Sequence, residues 1–217
     1  MKTLLKKEFR LCASPITYCY LPLCLLFLAP GYPILCGAFF VTLGLFQSFQ
    51  NTGGTGDVLF STLLPIAKRD VVKGKFLFVC LIEGGGFLLM AVATLLRMTV
   101  FSEAAVYRSN ALMNANGFAL GCVLCFFGLF NRIFVGGFFK TAYKTGKPFV
   151  LYTVAAFLTI GGAESLHHFP LLSVLNAFGA ERLGLQTLLF LAGMVVFGLL
   201  TGVSYRKSGR SFEKIDL

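Results

Sequence analysis

Six blocks of apolar residues, separated by short polar stretches, leave this chain few ways to fold. They cover residues 14–29, 34–50, 76–96, 112–135, 148–163 and 184–205. About 20 apolar residues in a helix cross a bilayer. Of the 217 residues, 57% are hydrophobic and 13% charged, whereas a soluble domain carries about 25% charge. No ordinary core could bury blocks of this length, so lipid is the expected solvent. The reading is an all-α integral membrane protein: one domain over 1–217, with six transmembrane helices and no separate globular unit. Pro22, inside the first block, is tolerable where neighbouring groups satisfy the carbonyl it frees. The "APGYP" stretch after that block is a tight turn.

Charge placement sets the orientation. All nineteen Lys and Arg residues except Arg97, Arg108 and Arg182 fall at the N-terminus, in 51–75, in 132–147 or in the tail 206–217. The positive-inside rule then puts both termini and both basic loops in the cytoplasm, which an even number of crossings requires. A net charge of +10 would raise nucleic acid as a partner for a soluble protein. Here the cations punctuate the spans instead of forming one basic face, so membrane lipid is expected and nucleic acid is not.

Residues 1–12, beginning MKTLLKKEFR, predict an interfacial helix. Lys2, Lys6 and Arg10 recur at i+4, with Leu5 and Phe9 on another face; a basic flank that only sets orientation is the alternative. The charged start and apolar run imitate a signal peptide, but no small-x-small cleavage site follows, so an uncleaved first span is expected. Seven cysteines lie almost wholly inside apolar blocks, where free cysteine behaves as a small hydrophobe. Their odd number and placement give no disulfide framework. Gly117/Gly121 and Gly198/Gly202 each form G-x-x-x-G, which lets helix backbones approach closely.

Catalytic signatures are sparse. The chain has no G-x-x-x-x-G-K-[ST], no H-E-x-x-H and no G-x-S-x-G. "NTGGTGD" (51–57) is glycine-rich but lacks the phosphate-binding lysine. "ESLHH" puts Glu164, His167 and His168 close together, and on a helix Glu164 and His168 would share a face. Three such groups can hold a metal, but this is the end of a span, where polar residues mark an interface, and no metal site is expected. Glu83 is more informative. It stands about 10 Å into the third span at 1.5 Å per residue, where an ionisable group faces a bundle interior or a watery cavity and is functional by default. A structural hydrogen bond or snorkelling to the surface is the alternative.

The stretch "DVLFSTLLPIAKRDVVKGKF" interrupts the apolar blocks with an ordered design. Asp57 can cap a short helix with Leu59, Phe60, Leu63 and Leu64 on one face. Pro65 stops it, and a second helix begins near Lys68 and becomes the third span. Such a segment suits either a surface for a soluble partner or an amphipathic linker lying on the membrane.

These elements resemble the short bacterial permease subunits of type-2 ATP-binding-cassette (ABC) exporters. The resemblance lies in the basic start, the "APGYP" turn and, above all, Asp57, Ser61, Leu64, Pro65, Lys68, Arg69, Asp70, Val72, Lys73 and Lys75. It implies a permease that pairs with itself or a sister subunit in the bacterial plasma membrane, above two separate ATPase subunits that bind ATP and Mg. No cofactor would be bound by this chain. The 52–75 loop would be the coupling helix, with Asp57, Phe60, Leu64, Pro65, Lys68, Arg69, Asp70, Lys73 and Lys75 meeting the ATPase. Glu83 would lie on the path of a peptide-like, antibiotic or lipid-like cargo. A membrane-embedded protease or lipid-modifying enzyme using Glu164, His167 and His168 is a second expectation; a non-transporting sensor or immunity protein is a third.

Overall fold

The computed structural model describes residues 2–54, 66–141, 144–166 and 168–214, and every regular element among them is helical. Helix α1 (Lys2–Lys7) continues as a π-turn (Glu8–Cys12); α2 (Pro15–Tyr20) continues as a 3₁₀ helix (Leu21–Leu28). Next come α3 (Leu35–Gly54), α4 (Lys68–Met98) and the short α5 (Ala105–Arg108). Helix α6 (Gly117–Leu129) runs through a π-turn (Phe130–Val135) into α7 (Gly136–Lys140). Helices α8 (Gly146–Leu166) and α9 (Leu183–Glu213) complete the bundle.

Each of the six apolar blocks holds a helix, although the fourth starts at Gly117 and not at 112, because Asn116 caps it there; among the described residues four helices are long and apolar enough to cross a membrane: α4, Gly117–Lys140, α8 and α9. A fifth is added if Thr3–Cys12 and Pro15–Leu28, bent by 87°, count as one span. The first block falls short because of its prolines. Ser14 caps α2, its Oγ accepting the Ile16 N–H at 3.3 Å, with Pro15 at the first helical position. Pro22 then removes a donor and crowds the carbonyl four residues back, and the backbone tightens into 3₁₀ geometry. The two pieces together reach about 25 Å, less than a hydrocarbon core of about 30 Å. The second block, α3, ends in Gln47, Ser48, Gln50, Asn51 and Thr52. Ser48 faces α2, where its Oγ accepts the Ser14 N–H at 3.0 Å and lies 2.7 Å from Thr17 Oγ1.

Helices α4 and α9 have 31 residues each, about 46 Å, and overrun the hydrocarbon thickness. Both overrun at the same end, here called the base. The polar segment 206–217, expected as a tail, is therefore helical as far as Glu213. Phe212 is buried against Phe139 there, with ring centroids 5.7 Å apart.

Helices α6 and α9 run in the same direction in close contact. A Cβ placed on Gly193 would lie 2.5 Å from the Gly121 carbonyl oxygen, and one on Gly121 would lie 2.8 Å from that of Leu189. Only glycine permits this approach, and between helices in lipid such contact carries much of the association. Gly198 and Gly202 have open space beyond their Cα atoms, so the second G-x-x-x-G joins no helices within the described chain. Below this seam the core is aromatic. Phe46 stacks on Phe149 at 3.6 Å, and Phe49 meets the edges of Phe134 and Phe138. The outside is apolar too, with Leu88, Leu95, Leu158, Leu188 and Leu199 exposed. All seven cysteines are free.

Gly193→Leu drives a side chain into backbone, and overpacking costs about 1–3 kcal/mol or more. Its thermal midpoint in detergent is expected to fall by several degrees, while that of Gly202→Leu stays at the wild-type value.

Candidate functional site at the base of the bundle

Helix α4 starts with charges that its own dipole disfavours. Ala67 is the cap residue and makes no side-chain cap hydrogen bond. Lys68 and Arg69 sit where the helix end is already partly positive; only Asp70 complements it. Arg69 is answered by α9: its Nε and Nη2 donate to the two carboxylate oxygens of Glu213 at 2.6 and 3.1 Å. Both side chains are well exposed, so the pair adds at most about 1 kcal/mol. Lys73 is also exposed, and Lys68 and Asp70 are half-buried. Asp57, Phe60, Leu64 and Pro65, expected beside them, lie outside the described residues.

Lys75 is placed differently from the rest of the expected docking set. It is 3% exposed, and its Nζ donates to Glu8 Oε2 at 2.6 Å and to Thr52 Oγ1 at 3.0 Å. The Phe49 ring lies beneath it at 5.3 Å. Its charge is thus held inside this chain, joining α4 to the N-terminal segment and α3. Helix periodicity explains the divergence: Arg69 and Lys73 share one face at i+4, and Lys75 points inward with Val71, Val72 and Phe78. Glu8 was missed because it reads as one acid in a basic flank. Its burial follows from the inward face shared by Leu5, Phe9 and Cys12, with Phe9 edge-on to Phe78 at 5.1 Å.

Higher in the bundle, Glu83 is 1% exposed. Asn131 Nδ2 donates to its Oε2 at 2.9 Å and to Thr201 Oγ1 at 3.1 Å. Ser204 Oγ donates to the Asn131 carbonyl at 2.6 Å. One polar network therefore crosses α4, the π-turn and α9. Glu83 Oε1 has no hydrogen-bond partner among the described residues, and Glu83 borders a cavity of about 100 Å³ with Cys80, Phe87, Leu124 and Phe197. The hydrogen bond expected as an alternative for Glu83 is present, and so is a small cavity. Asn131 was not singled out in the sequence, although a polar side chain inside an apolar block carries the same signal as Glu83.

The opposite end is built for structure. Arg97, 2% exposed, donates from Nη1 to the Phe27 carbonyl at 3.0 Å and lies 4.5 Å from the Tyr107 ring centroid. The Tyr107 hydroxyl donates to the Leu28 carbonyl at 2.7 Å. Both contacts satisfy carbonyls left over at the end of a helix. Asn116 caps α6, its Oδ1 accepting the Ala119 N–H at 3.0 Å. Glu164 Oε2 accepts the Met113 N–H at 2.9 Å, which fixes the loop before α6. Helix α8 ends at Leu166, so Glu164 and His168 do not share a helical face; His168 is on a surface turn. His167 lies outside the described residues. Among the described residues no three His, Cys, Asp or Glu side chains are grouped to hold a metal.

Removing one member of the buried pair strands the other. Glu8→Gln and Lys75→Met are each expected to lose about 3–5 kcal/mol. The double variant Glu8→Met/Lys75→Met should lose much less than the sum, as read by denaturation midpoints in a double-mutant cycle.

A family model described as "ABC-2 family transporter protein" matches residues 3–213. No curated protein and no solved structure matches the chain. The match covers the N-terminal segment, the basic base and all the long apolar helices, so the chain is a multi-pass membrane protein that belongs to the ABC-2 family of transporter proteins.

Proposed function

We propose that this chain is the permease subunit of an ABC exporter in a bacterial plasma membrane, driven by ATP that a separate ATPase subunit binds with Mg and hydrolyses. The observation that carries the reading is the exposed charge at the start of α4, within a chain matched to a transporter family over residues 3–213. In this reading the α2–3₁₀ segment and α3 also cross the membrane, giving six spans with both termini cytoplasmic. The base then faces the ATPase. Residues 52–75 form the coupling segment, and two copies, or one copy and a sister subunit, assemble the pathway.

The geometry supports a direct transmission. Lys68, Arg69, Asp70 and Lys73 meet the ATPase, while Lys75, two to seven residues further along the same helix, is bolted to α3 and the N-terminal segment. A push on the start of α4 is thereby shared among three elements. Glu83, two turns above Lys75, is moved by the same helix and offers a carboxylate to a cargo that is peptide-like, antibiotic or lipid-like. Alternating contacts of such a group in two states are what would couple transport to the partner's cycle.

Arg69→Glu and Asp70→Lys are each expected to weaken co-purification with the ATPase subunit by about tenfold, the equivalent of 1.4 kcal/mol. Glu213→Gln, which breaks only the internal pair, should leave that association intact. Retained association and transport in both charge-reversal variants would refute the docking role. Glu83→Gln is expected to lower transport in vesicles while association persists.

A further inference from the structure

We infer that the groove between α4 and α9 at the base binds one anionic phospholipid, with its phosphate on Arg206 and Arg210 and an acyl chain along Phe76, Leu77 and Gly202. The two helices run antiparallel here and leave a two-part groove. Its lower limb, of about 340 Å³, is lined by Arg69, Tyr205, Arg206, Gly209 and Arg210. Its upper limb, of about 250 Å³, is lined by Lys73, Phe76, Leu77, Cys80, Gly202 and Tyr205, with Thr201. Tyr205 lines both limbs, which places the basic and the apolar limb side by side along the two helices.

Three observations select the occupant. Glu213, on the same helix as Arg206 and Arg210, is engaged by Arg69 in both of its oxygens. Arg206 and Arg210 are exposed and form no ion pair among the described residues. They lie one turn apart on the same face, a spacing that suits a single phosphate. Then the lining changes from basic to apolar over the twelve residues from Arg69 to Cys80, a rise of about 16 Å along the helix and close to one leaflet's hydrocarbon depth. A soluble anion would use the lower limb only; a phospholipid uses both. A second basic hollow across α9, lined by Arg132, Lys140, Lys207, Ser208 and Arg210, has no comparable apolar limb. Finally, Gly202 has no atom within 4 Å of a built Cβ, so the upper limb can be filled by mutation without disturbing the chain.

The inference rests on the membrane location and needs neither an ATPase partner nor transport. The test is native mass spectrometry of the detergent-purified full chain, titrated in parallel with phosphatidylglycerol, phosphatidylcholine and inorganic phosphate. The wild type is expected to retain one phosphatidylglycerol and to prefer it to phosphatidylcholine. Arg206→Gln/Arg210→Gln should weaken that binding about thirtyfold, from the usual gain per basic residue at an anionic surface. Lys144→Gln/Lys147→Gln, which removes the same charge from the start of α8 and the residues before it, outside the groove lining, should match the wild type. Gly202→Phe should lose the lipid while keeping the wild-type elution volume and thermal midpoint. Equal loss in both double-glutamine variants would overturn the site in favour of general surface charge. Unchanged phosphatidylglycerol binding in Gly202→Phe, or equal occupancy by inorganic phosphate, would reassign the lower limb to a soluble anion.

Discussion

The ammonium of Lys75 sits where water does not reach, and the lower half of the bundle is arranged around keeping it paired. Removing two opposite charges from solvent costs several kcal/mol per ion, and attraction offsets this only when geometry and additional hydrogen bonds are good. Glu8 at 2.6 Å, Thr52 at 3.0 Å and the Phe49 face meet that condition. The requirement propagates. Glu8 can reach Lys75 only if the N-terminal segment folds back against α4, which the 87° bend before α2 accomplishes. Thr52 can do so only if α3 stays helical through its polar end. Three segments distant in sequence are thus held in one arrangement by a contact that apolar packing could not specify, because lipid solvates apolar faces as well as a neighbouring helix does.

A division of labour among polar groups follows. Those near the far end (Arg97, Tyr107, Asn116, Glu164) satisfy backbone atoms at helix ends and loops, the sites where a membrane protein would otherwise leave carbonyls and amides exposed to lipid. Those at the base are of two kinds: Lys75 and Glu8 turned inward, Arg69, Lys73, Arg206 and Arg210 turned outward. Between them lies the Glu83–Asn131 network, which links three helices through buried side-chain hydrogen bonds. The gradient from backbone repair to free charge distinguishes the two ends better than hydropathy does.

The apolar blocks were legible because hydrophobic runs of span length have few alternatives, and a helix occupies each of them. The start of α4 at Lys68 was legible for a related reason, since Pro65 and the change of composition mark a boundary. Span competence was less legible. Pro22 announces a break, but its conversion of eight residues to 3₁₀ geometry depends on packing. The continuation of α9 to Glu213 was hidden because a polar segment after a span reads as a tail until Phe212 finds Phe139 and Glu213 finds Arg69. The site divided along the same line. The outward face of Arg69 and Lys73 follows from local periodicity, whereas the pairing of Lys75 with Glu8 joins residues 67 positions apart and leaves no local trace. Glu164 and His168 misled because a helical spacing was extended past the point where the helix stops.

The wide turn at Phe130–Val135 has a geometric consequence for the whole molecule. An i→i+5 turn accommodates one residue more than the surrounding α-helix, and one residue corresponds to about 100° of rotation at 3.6 per turn. The rod that contains it is therefore rotated partway along its length. Gly117, Gly121 and Gly128 look towards α9, and Gly136 just past the turn still meets Ser204 of that helix, while Phe134 within the turn and Phe138 after it look towards Phe49 of α3. An unbroken helix would present a slowly drifting stripe to a single neighbour. This one serves two partners on different sides, and the Asn131 carbonyl, which accepts the Gly136 N–H across the turn, also accepts from the Ser204 hydroxyl.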